Sequence, residues 1–337
     1  MSSSSVSPGL LIAPTQLNIY FGLFIYVTGV LGSIGNVIIY RSRSLRDRAC
    51  SVYLLWRSVV DFIYMNSILL TRILQKGFKI SITTRYEYLC KIRQFGSSYG
   101  NQLAFMFLAL ATLDRIFLAH RSAALRRWGN RVSLARKLVI FSCVIWLIAL
   151  FHKLIWYGGA ANGKCEAQPG FYAYFDNLFG AIVTCLFPMI VLTILGVFIG
   201  RSVHHIAERR RVVPAVANGG GNHGEQSAIQ KMDVQLTTML FLDIFVAMIS
   251  FLPYAANLIY GNITGNWSKS ALQVAWENVI GEIINLLSYT FFSTSFYVSI
   301  ISLTGFRDQL LRAIRLKKPK VTVYSRTAVT TNRTAQI

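Results

Sequence analysis

Charged residues are scarce in this sequence, and acidic residues are scarcer than basic ones. Asp, Glu, Lys and Arg together make up 14% of the 337 residues, whereas apolar residues make up 54%. Soluble domains contain about one-quarter charged residues, so this composition excludes an ordinary soluble protein and favours a bilayer. The 34 Lys and Arg exceed the 13 Asp and Glu, which gives a net charge of +21. In a soluble protein that charge would indicate nucleic acid, so its distribution along the chain decides what it means.

Histidine and cysteine are also few, with five of each. A seven-helix intramembrane hydrolase would need His, Asp or Glu ligands clustered inside its bundle. Only His152 lies near the outer end of an apolar segment, and the other four histidines fall in segments that we place in the cytoplasm. The sequence also lacks the internal duplication and the paired broken helices that indicate a transporter. We therefore predict no catalytic residues, no metal site, no cofactor and no enzyme activity, and we disfavour a transporter.

Seven apolar segments are long enough to cross a bilayer as helices. A helix needs about 20 residues to span roughly 30 Å of hydrocarbon at about 1.5 Å per residue. The fifth and sixth segments each contain one proline, Pro188 and Pro253, which membrane helices tolerate as kinks. The sequence predicts an all-α membrane protein whose seven-transmembrane helix bundle covers residues 17–304. The segments are residues 17–40, 52–74, 90–119, 138–156, 172–202, 233–260 and 278–303.

Basic residues are unevenly distributed between the connections. If the N-terminus, residues 1–16, lies outside the cell, most Lys and Arg fall in the cytoplasmic loops and the tail. This is the positive-inside pattern, in which basic loops meet an anionic inner leaflet. The glycosylation acceptors Asn262 and Asn266 then both fall in the outer loop between the sixth and seventh segments. We predict a multi-pass plasma-membrane protein with an extracellular N-terminus and a cytoplasmic C-terminus, with membrane lipids and not nucleic acid as partners.

The cysteines and the C-terminal region add further predictions. Only Cys90 and Cys165 lie on the outer side in this topology, so they are the expected disulfide. Residues 305–318 carry apolar side chains at helical spacing among basic ones, which is typical of an amphipathic helix on the inner leaflet. Residues 319–337 have the composition of a flexible cytoplasmic tail.

Polar residues and prolines inside the segments form an ordered set of motifs. Asp114-Arg115-Ile116 ends the third segment, one bilayer thickness after Cys90. This set resembles the landmarks of rhodopsin-like (class A) G-protein-coupled receptors, in which Asp114-Arg115-Ile116 corresponds to the DRY motif, and the resemblance covers nearly the whole chain. The other matching positions are Gly35 with Asn36, Asp61, Trp146, Pro188, Phe251-Leu252-Pro253 at the WxP motif, and Ser295-Phe296-Tyr297-Val298-Ser299 at the NPxxY motif.

The resemblance implies a receptor that transmits extracellular ligand binding to a cytoplasmic heterotrimeric G protein by helix rearrangement, with arrestin as a further partner. Phe296 stands where the family usually has proline, as it does in some peptide receptors, including FMRFamide-receptor-like ones, so the expected ligand is a neuropeptide. Phe251, Ser295 and Ser299 also depart from the family pattern. The alternative is therefore a receptor that does not signal through G proteins, either arrestin-biased or a decoy.

The switch predicted by the resemblance has an acidic partner in the sixth segment. Asp233 lies about 30 Å before Pro253 along a helix, at the same level as Arg115. We hypothesise that the two form a resting-state lock. The alternative is that Asp233 is a solvated residue at a helix start, favoured by the helix dipole. The predicted switch residues are Asp114, Arg115, Asp233, Phe251, Pro253, Ser295, Phe296 and Ser299.

Asp61 is costly to place in hydrocarbon and is therefore a candidate functional residue. The resemblance implies sodium at this aspartate, but Arg57 lies one turn earlier and can neutralise it. We favour an intramembrane polar network of Asn36, Arg57 and Asp61 over a sodium site. Asp243 has no assigned role, and contact with Arg115, contact with water and interior packing all stay open.

At two positions where family members bind their ligands, this sequence has a different residue, which excludes an amine and retinal as ligands under the resemblance. Ser97 occupies the position of the amine-binding aspartate of aminergic receptors, and Tyr289 occupies that of the retinal-binding lysine of opsins. Acidic and aromatic residues near the outer ends, among them Asp176 and Glu277, suit a cationic aromatic peptide. The alternative interpretation, with equal support, is that they are aromatic residues of the membrane interface and solvated charges of the loops. The candidate ligand pocket consists of Ser97, Asn101, Glu282 and Tyr289.

Overall fold

The computed structural model describes residues 6–42, 45–80, 86–120, 122–159, 165–212, 223–265 and 267–302, with the backbone alone for residues 159, 202–212 and 223–232. Seven long helices, numbered α1 to α7, make up most of this structure. Their bounds are Pro8–Tyr40 (α1), Ala49 to Gly77 (α2), Glu87–Ala119 (α3), Val132–Trp156 (α4), Phe171 to Val212 (α5), His223–Thr264 (α6) and Ala271–Ser302 (α7). A short helix, Ala123–Trp128, follows α3. The antiparallel strands β1 (Tyr157–Gly159) and β2 (Cys165–Ala167) join α4 to α5.

The helix α2 differs from the others in its regularity. It begins as a 16-residue α-helix, Ala49–Tyr64, and continues through two wider π-helical stretches, Met65–Leu69 and Ile73–Gly77. Within the described residues, the other six helices are long and apolar enough to cross a membrane. With α2 as the further helix, the predicted seven-helix, all-α architecture is confirmed. The amphipathic helix expected at residues 305–318 and the tail at 319–337 lie outside the described residues.

Two helix ends differ from the sequence prediction. The helix α1 begins at Pro8 and not at residue 17, because proline is favourable in a first turn, where its missing N–H costs no helical hydrogen bond. The helix α6 continues to Thr264, so Asn262 lies in its last turn and the prediction that this acceptor lies in a loop was wrong. The Thr264 hydroxyl is buried and donates to the carbonyl of Tyr260 at 2.9 Å. Asn266 lies outside the described residues.

The helix α3 lies at the centre of the bundle, in contact with α2, α4, α5 and α6, whereas α1 packs against α2 and α7. Small residues let membrane helices approach closely, and α1 uses glycines in this way. A Cβ on Gly35 would lie 2.3 Å from the ring of Phe296, and one on Gly32 would lie 3.0 Å from the Phe296 Cβ. Phe296 therefore fills a glycine-lined groove on α1.

The outer surface of the bundle is apolar, and its charged residues are concentrated inside and at the two ends. Exposed apolar side chains of this kind suit a surface that faces lipid. We call the end of the bundle that contains Cys90 and Cys165 the disulfide end, and the opposite end, which contains Arg115, the arginine end. Large exposed side chains of α4 and α5 include Ile140, Phe141, Ile148, Phe187 and Ile190.

Candidate functional site

At the arginine end, two arginines bind the carboxylate of Asp233 in α6. Arg115 of α3 donates from Nη1 to Oδ1 of Asp233 at 2.7 Å, and Arg48, which precedes α2, donates to the same oxygen. The side chain of Arg115 is buried, whereas that of Asp233 is 30% exposed. Asp114 instead accepts a hydrogen bond from the backbone N–H of Asn130 at 2.8 Å. The structure therefore brings Arg115 and Asp233 together, and it adds Arg48, which no sequence pattern indicated.

A second charged cluster lies deeper in the bundle, between α2 and α6. Arg57 donates from Nη1 to Oδ2 of Asp243 at 2.7 Å, and its Nε lies 3.8 Å from Oδ2 of Asp61. The three side chains are at most 2% exposed, so their charges depend on one another and not on water. Asn36 does not bond to Asp61; its Nδ2 lies 3.4 Å from Oγ of Ser295 in α7. The network expected around Asp61 thus includes Arg57, gains Asp243 and leaves Asn36 bonded elsewhere.

An aromatic layer covers this charged cluster on the side of the disulfide end. The guanidinium carbon of Arg57 lies 4.6 Å from the ring centre of Phe291. Phe291 packs against Phe105 and Phe251, with ring centres 5.1 Å and 5.6 Å apart. Phe251 also contacts Phe105 at 4.7 Å and lies two residues before Pro253 in α6. Phe251 therefore lies one ring away from Arg57.

Near the arginine end, α7 meets α1 and α6 through small polar groups. The hydroxyl of Ser299 donates to the carbonyl of Ser295 at 2.8 Å and lies 3.1 Å from Sδ of Met239 in α6. The hydroxyl of Tyr40 in α1 lies 3.4 Å from Oγ of Ser299 and 3.6 Å from the same sulfur. The side chain of Tyr40 therefore brings a phenol hydroxyl from α1 to the contact between α6 and α7. No sequence pattern indicated this role of Tyr40, because a tyrosine at the end of a span is typical of the membrane interface.

The disulfide end is closed by the predicted bridge between Cys90 and Cys165, which links α3 to β2 with a Cα–Cα distance of 5.6 Å. Beside it, the buried carboxylate of Asp176 in α5 accepts hydrogen bonds from Nζ of Lys153 and from the Tyr157 hydroxyl, each at 2.5 Å. Burial, together with the bond to Asp176, raises the pKa of Tyr157 well above its ordinary value, so the hydroxyl stays protonated and donates. Asp176 is therefore already paired with a cation of the chain.

Two other acids near the disulfide end, Glu282 and Glu277, are paired in the same way. Glu282 in α7 accepts from Nδ2 of Asn18 at 3.0 Å and from Arg72, whose guanidinium carbon lies 5.9 Å from the ring centre of Tyr289. Glu277 accepts from Nζ of Lys269 at 2.6 Å. This pairing removes the basis for expecting a cationic ligand, because these carboxylates already hold the protein's own cations. The sequence could not show it, since Arg72 and Glu282 are far apart in the chain.

Another cation near the disulfide end, Arg93, lies close to Tyr289 and has no carboxylate partner among the described residues. Nε of Arg93 in α3 donates to Oγ1 of Thr71 at 3.1 Å, and within the described residues no carboxylate pairs with Arg93. Arg72, Tyr64 and Tyr289 are the neighbours that act on it electrostatically. A half-buried guanidinium without a counter-ion is costly. Of the other predicted residues, Ser97 lies beside the Tyr64 hydroxyl, and Oδ1 of Asn101 is buried with no hydrogen-bond partner in the described structure.

The comparison with known families agrees with this arrangement. The sequence model of the 7 transmembrane receptor (rhodopsin family) matches residues 36–290, which is more than half of the chain. The chain belongs to the rhodopsin family of seven-transmembrane receptors. No curated protein matches the chain. As a member of this family the chain is a multi-pass plasma-membrane signalling receptor and not an enzyme, and the family implies an extracellular ligand and a G protein as partners.

Within this rhodopsin-family receptor, the matched residues include both ion-pair clusters on α6. The match begins at Asn36 and ends after Tyr289, before Ser295, where the departures in α7 begin. The buried ion pair between Arg57 and Asp243 is the main feature of the site that the sequence alone did not reveal. Only the aspartate gave a signal, as an unexplained acid in an apolar helix.

Proposed function

We propose that this receptor carries an extracellular peptide signal to a heterotrimeric G protein, and that ion pairs on α6 hold it in the resting state. The observation that supports this most directly is the carboxylate of Asp233, which both Arg115 and Arg48 bind. Charge-assisted hydrogen bonds are stronger than neutral ones, and neither arginine is on α6. Outward movement of α6 at the arginine end therefore requires both bonds to break. That movement would open the cytoplasmic side of the bundle to a G protein.

The pair between Arg57 and Asp243 is a second connection on the same helix. When α6 moves away, Arg57 loses Asp243 but keeps Asp61, whose Oδ2 already lies 3.8 Å from its Nε. The guanidinium can thus exchange one carboxylate for another without becoming an unpaired buried charge, which would be costly. An exchange of this kind has two discrete states, and ligand binding can shift the balance between them.

Ligand binding reaches this pair through the aromatic layer. Phe251 lies on α6 between the pocket and Asp243, and it packs against Phe291, which lies under the guanidinium of Arg57. A ligand that displaces Phe251 therefore disturbs the surroundings of Arg57 directly, because packed interiors respond to small displacements by switching arrangement.

In this proposal the disulfide end faces the cell exterior and the arginine end faces the cytoplasm, in keeping with the basic loops. The ligand binds among Ser97, Asn101, Glu282 and Tyr289. Glu282 is already paired with Arg72, whereas Arg93 has no carboxylate partner among the described residues. We therefore expect the peptide to present a carboxylate to Arg93, because a guanidinium can bind a carboxylate through two N–H groups.

A panel of aromatic peptides, each made with a free C-terminal carboxylate and as the amide, tests this function in cells that express the receptor. We expect G-protein recruitment by one or more free-acid peptides, with loss of the response in Arg115→Ala at matched surface expression. Recruitment of arrestin without any G-protein response would support the alternative of an arrestin-biased receptor. One feature favours that alternative. Position 299, at the tyrosine of the NPxxY motif, is a serine, and the phenol at the contact of α7 with α6 belongs to Tyr40 of α1.

A further inference from the structure

Asn130, in the connection between α3 and α4, bonds to two residues that are the chain neighbours of Arg115 and Arg48. Its backbone N–H donates to Oδ1 of Asp114, the residue before Arg115, at 2.8 Å. Its own Oδ1 accepts from the backbone N–H of Ala49, the residue after Arg48, at 3.2 Å. One residue therefore reaches the immediate surroundings of both cations of the resting-state contact. The mechanism proposed above does not use it.

The start of α2 depends on the side chain of Asn130. The first N–H groups of a helix have no partner within the helix, and a side-chain oxygen commonly accepts from one of them. The residue at the cap position of α2 is Arg48, which makes no capping bond, because a guanidinium contains donors and no acceptor. Oδ1 of Asn130 takes that role for Ala49 from another part of the chain. Its removal would leave the first turn of α2, and with it the backbone of Arg48, less firmly held.

The backbone around Asn130 has a conformation that suits this double contact. Asn130 has φ 59°, in the left-handed region, which asparagine tolerates better than most residues. The residue before it, Gly129, is buried against α3. A Cβ on Gly129 would lie 3.1 Å from the backbone N of Leu118 and 3.3 Å from the carbonyl oxygen of Asp114. The connection therefore lies close against α3, and the side chain of Asn130 extends from it to α2.

Arg48 is the residue through which the start of α2 reaches α6. Its side chain is 14% exposed, and it shares the carboxylate of Asp233 with Arg115. A charge-assisted hydrogen bond depends on direction as well as on distance, so a shift of the Arg48 backbone would weaken the bond to Asp233. Arg115 differs in this respect, because it lies within a long helix whose own hydrogen bonds fix its backbone.

We infer that Asn130 is a positioning residue of the resting state. By fixing the start of α2, it holds Arg48 in the orientation that binds Asp233. The connection between α3 and α4 thereby controls a contact between α2 and α6. This inference rests on the proposed function, in which the carboxylate of Asp233 holds α6 in place. Because Asn130 acts through Arg48, its effect on signalling should disappear when Arg48 is replaced.

Two substitutions at Asn130 separate its side chain from its backbone. Asn130→Gly removes the acceptor oxygen but keeps the left-handed backbone and the N–H that donates to Asp114. Asn130→Asp keeps an acceptor oxygen and tolerates the same φ. Lys79→Gly is the matched control for a new glycine, because Lys79 has φ 60° and is exposed beyond the other end of α2.

Basal G-protein activation at matched surface expression measures the effect on signalling. Asn130→Gly should raise it about threefold, in keeping with the loss of one helix-capping bond. Asn130→Asp and Lys79→Gly should remain at the wild-type level. Arg48→Gln should itself raise basal activation, and adding Asn130→Gly to it should cause no further rise. A wild-type level in Asn130→Gly, or an equal rise with and without Arg48, would overturn the inference and leave the proposed function intact.

Melting temperatures of the purified full chain in detergent provide a readout that does not depend on signalling. The loss caused by Asn130→Gly should be smaller in the Arg48→Gln receptor than in the wild type, because both side chains stabilise one contact. Equal losses would show that Asn130 caps α2 without positioning Arg48, and would overturn the inference. Unequal losses, with no rise in basal activation in Arg48→Gln, would contradict the proposed function while supporting the positioning of Arg48 by Asn130.

Discussion

Arg57 of α2 and Asp243 of α6 form a buried ion pair at the centre of the helix bundle, with 2.7 Å between Nη1 and Oδ2. This contact explains why the apolar helix α6 carries an aspartate, because Asp243 and Arg57 are buried as an ion pair and neither is an unpaired charge. It also places a cation of the protein beside Asp61, and it fastens α6 to a neighbour at a second level, away from Arg115 and Arg48.

Asp243→Asn should raise basal G-protein signalling and lower the melting temperature of the purified receptor. Removing one partner of a buried ion pair costs about 3–5 kcal/mol, and the loss here should lie at the lower end because Asp61 still faces Arg57. Basal G-protein activation at matched surface expression and thermal unfolding in detergent measure the two effects. Asp243→Glu keeps the carboxylate and serves as the control. Basal signalling that is equal in Asn and Glu variants would contradict the second connection.

Sodium should not stabilise this receptor. Arg57 faces two carboxylates, Asp243 at 2.7 Å and Asp61 at 3.8 Å, and a sodium ion bound at Asp61 would lie next to this buried guanidinium, which opposes its binding. Replacing sodium chloride by N-methylglucamine chloride at constant ionic strength should therefore leave the melting temperature unchanged. A stabilisation by sodium that disappears in Asp61→Asn would show that an ion binds there after all.

Arg93→Gln and Arg72→Gln should change the stability of the ligand-free receptor in opposite directions. Arg93 has no carboxylate partner among the described residues, so its removal should raise the melting temperature. Arg72 binds Glu282, so its removal should lower it by leaving that carboxylate with fewer partners. The same Arg93 variant should lose potency toward free-acid peptides. A lower melting temperature in Arg93→Gln would mean that Arg93 is paired in the resting receptor.

Features that follow from distance along the helix axis could be predicted from the sequence. Seven spans follow from the length of the apolar segments, and the level of Asp233 relative to Arg115 follows from the rise per residue. Both depend on one helix at a time. The contact of Arg57 with Asp243 also needs the rotation of α2 and α6 about their axes, which packing against neighbouring helices determines.

The acids at the disulfide end also show that contacts between helices could not be predicted from the sequence. The sequence left open whether Asp176 and Glu282 face a cationic ligand, and the structure shows that Lys153 and Arg72 bind them from other helices. Composition shows that these acids are present and does not show which cations of the chain reach them. Only the spatial arrangement showed that Arg93 has no carboxylate partner among the described residues.

Gly35→Ala should destabilise the receptor, because the new Cβ would lie 2.3 Å from the ring of Phe296. Overpacking of this kind costs about 1–3 kcal/mol. The measurement is the melting temperature, with Gly261→Ala as the control, since a Cβ there meets nothing within 4 Å. Phe296→Leu should restore much of the loss in the Gly35→Ala background. A Gly35→Ala receptor as stable as the control would contradict the close packing of Phe296 on α1.

The role of the ion pairs on α6 is tested most directly by the basal G-protein activation of Asp233→Asn, compared with that of Asp47→Asn at the same end of the bundle. Asp233 is bound by Arg115 and Arg48, whereas the carboxylate of Asp47 is 81% exposed and connects no helices. At matched surface expression, we predict basal activation clearly above wild type for Asp233→Asn and equal to wild type for Asp47→Asn. Basal activation of Asp233→Asn that is equal to wild type would contradict the claim that ion pairs on α6 hold the resting state.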